Sequence, residues 1–204
     1  MAWTHFLLAV TWSFTFCSHM NCGTDPYEYP YFTIHGLWPT TAYPPYPEYC
    51  NRSLVYDPEV MVPLEPELVT FWPSLLSPDY ESFWKHEWDK HGTCSVCVPE
   101  VSDQYSYFDS TLILYYAYDP LSILLEHGIT PGYSYNRTDF ETVLGSAYYL
   151  QCHSDLLEEV RISFDPEWNL IPSPIPHRCP EIIYFPDDLV TEYYAPPSGA
   201  EFPL

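Results

Sequence analysis

The 204-residue chain reads as α+β: a central antiparallel sheet with several helices packed on it, stapled by disulfides. Three observations predict this. Strand-like and helix-like runs are mixed without the regular strand–helix beat of a parallel α/β fold. Hydrophobic residues make up 47% and aromatics 19%, enough for a sizeable core at this length and too much for disorder, despite 23 prolines. Seven cysteines, with Asn-x-Ser/Thr sequons at Asn51 and Asn136, point to an oxidising, secretory route. No internal repeat divides the chain and no apolar run is long enough to span a bilayer. One domain over residues 1–204 is expected, with its core from about 4 to 185.

The elements follow in order. Met1 to Phe16 admits two readings: Phe6-Leu7-Leu8-Ala9-Val10 looks like the apolar centre of a signal peptide, but no basic leader precedes it. Thr11, Trp12 and Ser13 also interrupt the run, and a strand is the other reading. Phe32 to Pro39 suits a short buried strand ending at Gly36 and Pro39, with His35 at the strand end and Trp38 just beyond. A stretch rich in Tyr and Pro fills Thr40 to Tyr49. Asp57-Pro58-Glu59 is a helix start, with Asp as cap and Pro in the first turn; Pro63 and Pro66 then break the pattern. Ser102 to Tyr118 reads as a helix with an aromatic face. Pro120 starts another that stops at His127-Gly128, where Gly fits a left-handed end. Thr138-Asp139-Phe140-Glu141 is a capping box opening a further helix. Glu159 to Phe164 and Glu181 to Phe185 read as late strands. The Pro-rich tail, 186–204, reads as a peripheral wrap or a disordered segment.

One stretch concentrates chemistry: Phe83-Trp84-Lys85-His86-Glu87-Trp88-Asp89-Lys90-His91-Gly92-Thr93-Cys94. As a helix turning about 100° per residue, it sets Glu87 and His91 within about 40° of each other, with His86 and Lys90 as a second four-apart pair. Phe83, Trp84 and Trp88 can anchor it in a core. An ordinary salt-bridged helix explains neither two histidines nor three aromatics. A zinc site of the His-Glu-x-x-His type fails, because these histidines are five apart, about 140° around the helix. General acid–base chemistry remains, and it needs a second imidazole from elsewhere. His35 is the candidate: a lone histidine on an apolar strand is usually structural, but two Trp-flanked histidine segments shift that balance.

These two blocks, Ile34-His35-Gly36-Leu37-Trp38-Pro39 and Lys85 to Cys94, resemble the active-site blocks of the ribonuclease T2 family of acid endoribonucleases. The likeness extends from about Phe6 to about Phe185. It implies a ribonuclease T2-like fold in which residues 4–16 form the first strand rather than a leader; a leader has then been removed or lies outside the sequence. Cys17 and Cys22 close a small loop, Cys50–Cys94 ties the two blocks together and Cys152–Cys179 is the third pair, leaving Cys97 over as a free thiol or an intermolecular link. A further family disulfide near residues 162–172 has no cysteines here. The resemblance also implies cleavage of single-stranded RNA by its own 2′-OH, giving 2′,3′-cyclic phosphate and 5′-OH ends, with no metal or other cofactor and no cleavage of DNA. His91 is then the proton acceptor and His35 the donor, though the residues alone leave the assignment open. Lys90 meets the transition-state charge. His86 helps hold the phosphate, and Glu87 orients His91 or polarises the phosphoryl group. Trp38 and Tyr46 match stacking residues, and Trp72, Pro73, Ser74 and Phe83 are candidates for a second base pocket. Thr40 stands where family members often carry an Asp that contacts the base, which leaves base preference open.

The net charge of −22, with only six Lys and Arg, opposes binding of a polyanion near neutrality. Arg52, Lys85 and Lys90 fall in or near the presumed site. Near the pI of about 4.3 many of the 28 carboxylates are protonated and all eight histidines are charged. An optimum of about pH 4–5.5 is expected, since carboxylates titrate near 4 and His near 6.5. Solubility of a secreted protein is a rival explanation of the acidity. The remaining histidines (His5, His19, His127, His153 and His177) read as surface or structural. A monomer in a secreted, lysosomal or vacuolar compartment, with no membrane partner and N-glycans at Asn51 and Asn136, completes the expectation. The alternative is a secreted signalling, toxic or binding protein on the same scaffold.

Overall fold

The computed structural model describes residues 3–190, so the expected tail lies outside the described residues from 191 onward. Its centre is β1, His5–Trp12, buried along its whole length because both faces are covered. Phe6, Leu8, Val10 and Trp12 point into the main core, whereas Leu7, Ala9 and Thr11 point to the opposite face. The expected strand over 4–16 is therefore too long. At Ser13 the chain turns into α1, Ser13–His19, where the Ser13 hydroxyl donates to the carbonyls of Pro26 and Tyr29.

Strand β2, Phe32–Thr40, pairs antiparallel with β1 and forms the sheet edge. It does not end at Gly36; Pro39 is tolerated because an edge strand need not donate outward. Its register shifts between Ala9 and Val10, which face Gly36 and Ile34, so His35 is the extra residue of a β-bulge. The bulge reverses the alternation. Phe32 and Ile34 face the core before it, and Leu37 after it. His35 and Trp38, three apart, consequently share the other face.

Four short elements follow: α2, Pro58–Met61, capped by Asp57; α3, Glu65–Phe71, which Pro66 starts rather than breaks; α4, Tyr80–Glu87; and a π-helical turn over Trp88–Gly92. The turn α5, Thr93–Ser95, completes this segment. The long helix α6, Gln104–Ala117, inserts Tyr107, Phe108, Leu112 and Tyr115 into the core. Tyr107 and Tyr115 hydroxyls donate to the carbonyls of Leu37 and Phe32 at 2.8 and 2.7 Å, satisfying the acceptors that an edge strand leaves open.

Helix α7, Pro120–Glu126, ends as expected before Gly128, whose φ is +79°. Two strands went unread in the sequence, β3 (Tyr133–Asn136) and β4 (Tyr148–His153). Helix α8, Arg137–Leu144, starts earlier than Thr138: Asn136 caps it, and Asp139 accepts from the Asn136 backbone N–H in return. Strand β5, Leu156–Phe164, pairs antiparallel with both β1 and β4, and β6, Ile182–Phe185, pairs with β3. Between its strands the sheet is thus antiparallel but for one parallel pairing, Leu156 with Tyr184, and an isolated parallel bridge joins Gln151 to Arg178. The disulfides are Cys17–Cys22, Cys50–Cys94 and Cys152–Cys179, with Cys97 free and exposed, as the resemblance implies.

Candidate active site

The cleft lies on the face of the sheet away from the main core, between β2 and the π turn, and encloses about 340 Å3. Of the predicted site residues, His35, Trp38, Tyr46, His86, Glu87, Lys90 and His91 all line it. The regular helix expected over 83–94 is not what gathers them. A π turn closes i→i+5 bonds, so residues five apart approach one another around its axis. His86 and His91, too far apart on an α-helix, both reach the cleft. The backbone carbonyl of Lys90 accepts from Tyr49 N–H at 2.9 Å, and the Cys50–Cys94 bridge fastens the same segment covalently.

Glu87 is buried and accepts from the Trp38 indole N–H at 2.9 Å. It therefore holds the Trp38 ring and makes no hydrogen bond to His91, whose Nδ1 has no hydrogen-bond partner among the described residues. This contact also explains Gly36: a Cβ there would lie 2.2 Å from Glu87 Oε2 and 2.4 Å from Trp38 Nε1. Burial pushes the Glu87 carboxyl up, against the pull of His35. Burial likewise brings His91 down to about 3, assisted by the charges of Lys90, His35 and His86. His86 is lowered by burial and by Lys90. Lys90 Nζ lies 3.4 Å from Glu48 Oε1 at the cleft wall.

Glu159 and Arg161, expected from the sequence only as part of a late strand, meet His35 and the cleft. His35 Nδ1 is 2.8 Å from Glu159 Oε2; Arg161 Nε donates to Glu159 Oε1 at 2.5 Å, and the Thr11 hydroxyl donates to Oε2 at 3.3 Å. Reaching β2 from β5 means crossing β1. The residues crossed are Ala9, opposite Arg161, and Thr11, opposite Glu159, both short. The Arg161 guanidinium lies 5.1 Å from the Trp38 ring centroid. Burial opposes the charge on His35, but the Glu159 bond and charge outweigh it and raise the imidazole above its usual value. Glu159 falls to about 2, because His35 and Arg161 outweigh its burial. The signal is present in the sequence as Glu159-x-Arg161, two charges at strand spacing that alternate with the core residues Val160 and Ile162.

A second, smaller pocket of about 100 Å3 adjoins the cleft, lined by Thr11, His35, Pro73, Ser74, Leu76 and Phe83 among others. His35 borders both spaces. Trp72 belongs to neither. It is fully buried against Phe108, so it cannot stack on a base, and its indole N–H donates to the His35 carbonyl at 3.0 Å, supporting the bulge from behind.

The Ribonuclease T2 family model matches residues 3–179 of the chain. The chain belongs to the Ribonuclease T2 family. It is an RNA-cleaving enzyme of that family, an endoribonuclease. It is similar to the Ribonuclease T2 of Danio rerio, 34% identical over 83% of this chain and 72% of that one. Ribonuclease Oy of Magallana gigas is 37% identical over 83% of this chain and 86% of its own. Among solved structures, ribonuclease MC1 from bitter gourd seeds is 27% identical and superposes with a TM-score of 0.79, covering 90% of this chain and all of that one. A mutant of RNase MC1 in complex with 5′-GMP superposes equally well.

Five of the six Lys and Arg line this cleft or the pocket on the other flank of α4. Lys90, Arg161 and Arg178 belong to the former, Arg52 and Lys85 to the latter. Arg52 and Arg178 have no carboxylate partner among the described residues, in a chain with 28 carboxylates. Of the other histidines, His127 bonds its own helix at Ile123 O and His177 Nδ1 accepts from Leu150 N–H, both structural positions.

Proposed function

We propose that the cleft cleaves single-stranded RNA by transesterification, with His91 as base and His35 as acid. The observation that carries this reading is the opposed environment of two imidazoles on one cleft. His91 is half-buried beside Lys90 and the other imidazoles, its Nδ1 enclosed without a partner among the described residues, and His35 is bonded to a buried carboxylate. His91 takes the proton of the 2′-OH as its oxygen bonds to phosphorus. The bond to the 5′-oxygen breaks, and His35 protonates the leaving oxygen, giving 2′,3′-cyclic phosphate and 5′-OH ends. Lys90 and His86 meet the negative charge that grows on the phosphoryl oxygens. No step requires a metal or a cofactor.

Because His35 borders both pockets, a phosphodiester beside it leaves one base for each. Trp38 and Tyr46 stack the base in the larger space, and Phe83, with Pro73 and Ser74, takes the second. Bound 5′-GMP in the RNase MC1 mutant supports nucleotide binding by this fold. Three disulfides suit a secreted or lysosomal setting, with glycans on Asn51 and Asn136 and a monomeric enzyme. The test is cleavage of a mixed-sequence RNA oligomer and its 2′-deoxy counterpart, with EDTA, by wild type, His35→Ala and His91→Ala. Ribose-dependent, EDTA-resistant cutting to cyclic ends, lost in either variant, is the expected result. A folded, disulfide-intact wild type that leaves RNA uncut would overturn the reading.

A further inference from the structure

We infer that Glu159, locked in place by Arg161, is a positioning residue for His35: it holds the ring by Nδ1 and so turns Nε2 toward the leaving oxygen. The inference rests on the reading of His35 as the acid and adds a residue to it. A histidine that must surrender a proton from a chosen nitrogen needs its other nitrogen occupied. Glu159 Oε2 sits 2.8 Å from Nδ1, and the carboxylate is almost wholly buried, with 4% of its surface exposed. A buried carboxylate with a free oxygen could rotate away. Here Oε1 is taken by Arg161 Nε and Oε2 is shared with the Thr11 hydroxyl, so its orientation is over-determined. The backbone matches this design. The bulge places His35 out of register on β2, and Ala9 and Thr11 leave the path across β1 open. When the Nε2 proton leaves, the ring is left as the Nδ1–H tautomer, still donating to Glu159, so the bond persists through the step.

The groups facing His35 are Glu159 and Arg161 from β5, Thr11 from β1, Glu87 and His86 from α4 and His91 from the π turn. The carboxylates favour imidazolium, while Arg161, His86 and His91 when charged oppose it. Glu159 is the acid in direct contact, so its removal leaves His35 with only the more distant Glu87 set against the cations. Its depressed carboxyl keeps that support intact in acid, where most surface carboxylates have lost their charge.

The test compares wild type, Glu159→Gln, Glu159→Asp and His35→Ala on a ribodinucleotide over a range of pH. Glu159→Gln should lose at least about tenfold in kcat with KM little changed, and the alkaline limb of kcat/KM should move at least about one pH unit to acid. Glu159→Asp, which keeps the charge, should hold the limb near its wild-type place. An unshifted limb and wild-type kcat in Glu159→Gln, with His35→Ala inactive, would overturn this inference and leave the proposed function standing. An active His35→Ala would instead overturn the assignment of the acid. Should Glu159→Gln fail to fold with Arg161 unpaired, 15N NMR of the wild type decides. A neutral His35 in the Nδ1–H form, titrating above about 6.5, supports the inference, and an Nε2–H form refutes it.

Discussion

In the proposed mechanism turnover requires His91 neutral and His35 protonated at the same moment, and the fold drives the two imidazoles apart. Burial, with help from Lys90, His35 and His86, takes His91 to about 3, while the Glu159 carboxylate outweighs burial and lifts His35 above 6.5. At pH 5 an imidazole of ordinary pKa, about 6.5, is only about 3% neutral, since each pH unit is tenfold in the ratio of forms. One brought down to about 3 is about 99% neutral at that pH, roughly thirtyfold more base. The sign follows for each limb. Activity is lost on the acid side as His91 gains its proton, and on the alkaline side as His35 loses its own. For a dinucleotide, too short to feel most of the surface charge, kcat/KM should rise through about pH 3, stay level, and fall only above about 6.5. The kcat profile should have its acid limb at higher pH, because the bound phosphodiester anion favours imidazolium. The assay is steady-state cleavage at constant ionic strength from about pH 2.5 to about 8.5, bracketing both groups. An acid limb in kcat/KM centred near 6.5 would refute the depressed base.

Trp72→Phe removes the indole donor to the His35 carbonyl while keeping most of the core volume. It should cost about 1–3 kcal/mol in urea unfolding and lower kcat more than it changes KM. Breaking Cys50–Cys94 by a double Ser replacement opens a crosslink with a sequence separation of 44. The chain-entropy relation puts that loss at about 4 kcal/mol, to be read from the shift of the unfolding midpoint. Arg178→Ala should raise KM for an RNA oligomer with kcat retained, and make the slope of log affinity against log salt shallower by about 0.7. A salt slope identical to wild type would show that Arg178 meets no phosphate. Cys97→Ser should leave the melting temperature and activity unchanged while removing the one thiol of the folded protein that reacts with a thiol-specific reagent.

Much of the cleft was legible because its residues are contiguous in sequence. His35, Trp38 and the run from His86 to His91 carry their own chemistry, and they do meet. What the sequence concealed was geometry that depends on partners. The periodicity of residues 83–94 fits an α-helix throughout, and it does not reveal that the helix holding His86 passes into a π turn over Trp88–Gly92 that carries His91. Gly36 read as a strand terminator, whereas it is a clearance for the Glu87–Trp38 contact. Trp72 looked like a flat face for a base and is a buried prop, since only the tertiary fold decides which side of a tryptophan meets water. Strands β3 and β4 carry weak alternation and are defined by their neighbours β6 and β5. Glu159 and Arg161 lie more than a hundred residues from His35, and only the sheet register brings them to it.

The placement of the cations bears on the charge problem. Averaged over the molecule, −22 should repel RNA, and a uniform distribution would leave the cleft negative. Instead Lys90, Arg161 and Arg178 converge in the cleft, with Lys85 and Arg52 on the adjoining flank, and only Arg137 lies elsewhere, paired with Glu141. With a Debye length of about 8 Å at physiological salt, a phosphate inside the cleft feels these cations, set against Glu48, Glu87 and Glu159, more than the distant surface acids. An incoming strand must still cross the outer acidic field, which acid conditions weaken. The surface therefore governs how fast long RNA arrives, and the cleft governs what happens to the phosphodiester beside His35. Lowering the pH from about 7 to about 5 should accordingly help a long RNA far more than a dinucleotide, because only the former must cross that field. Equal gains for both substrates would contradict this separation of roles.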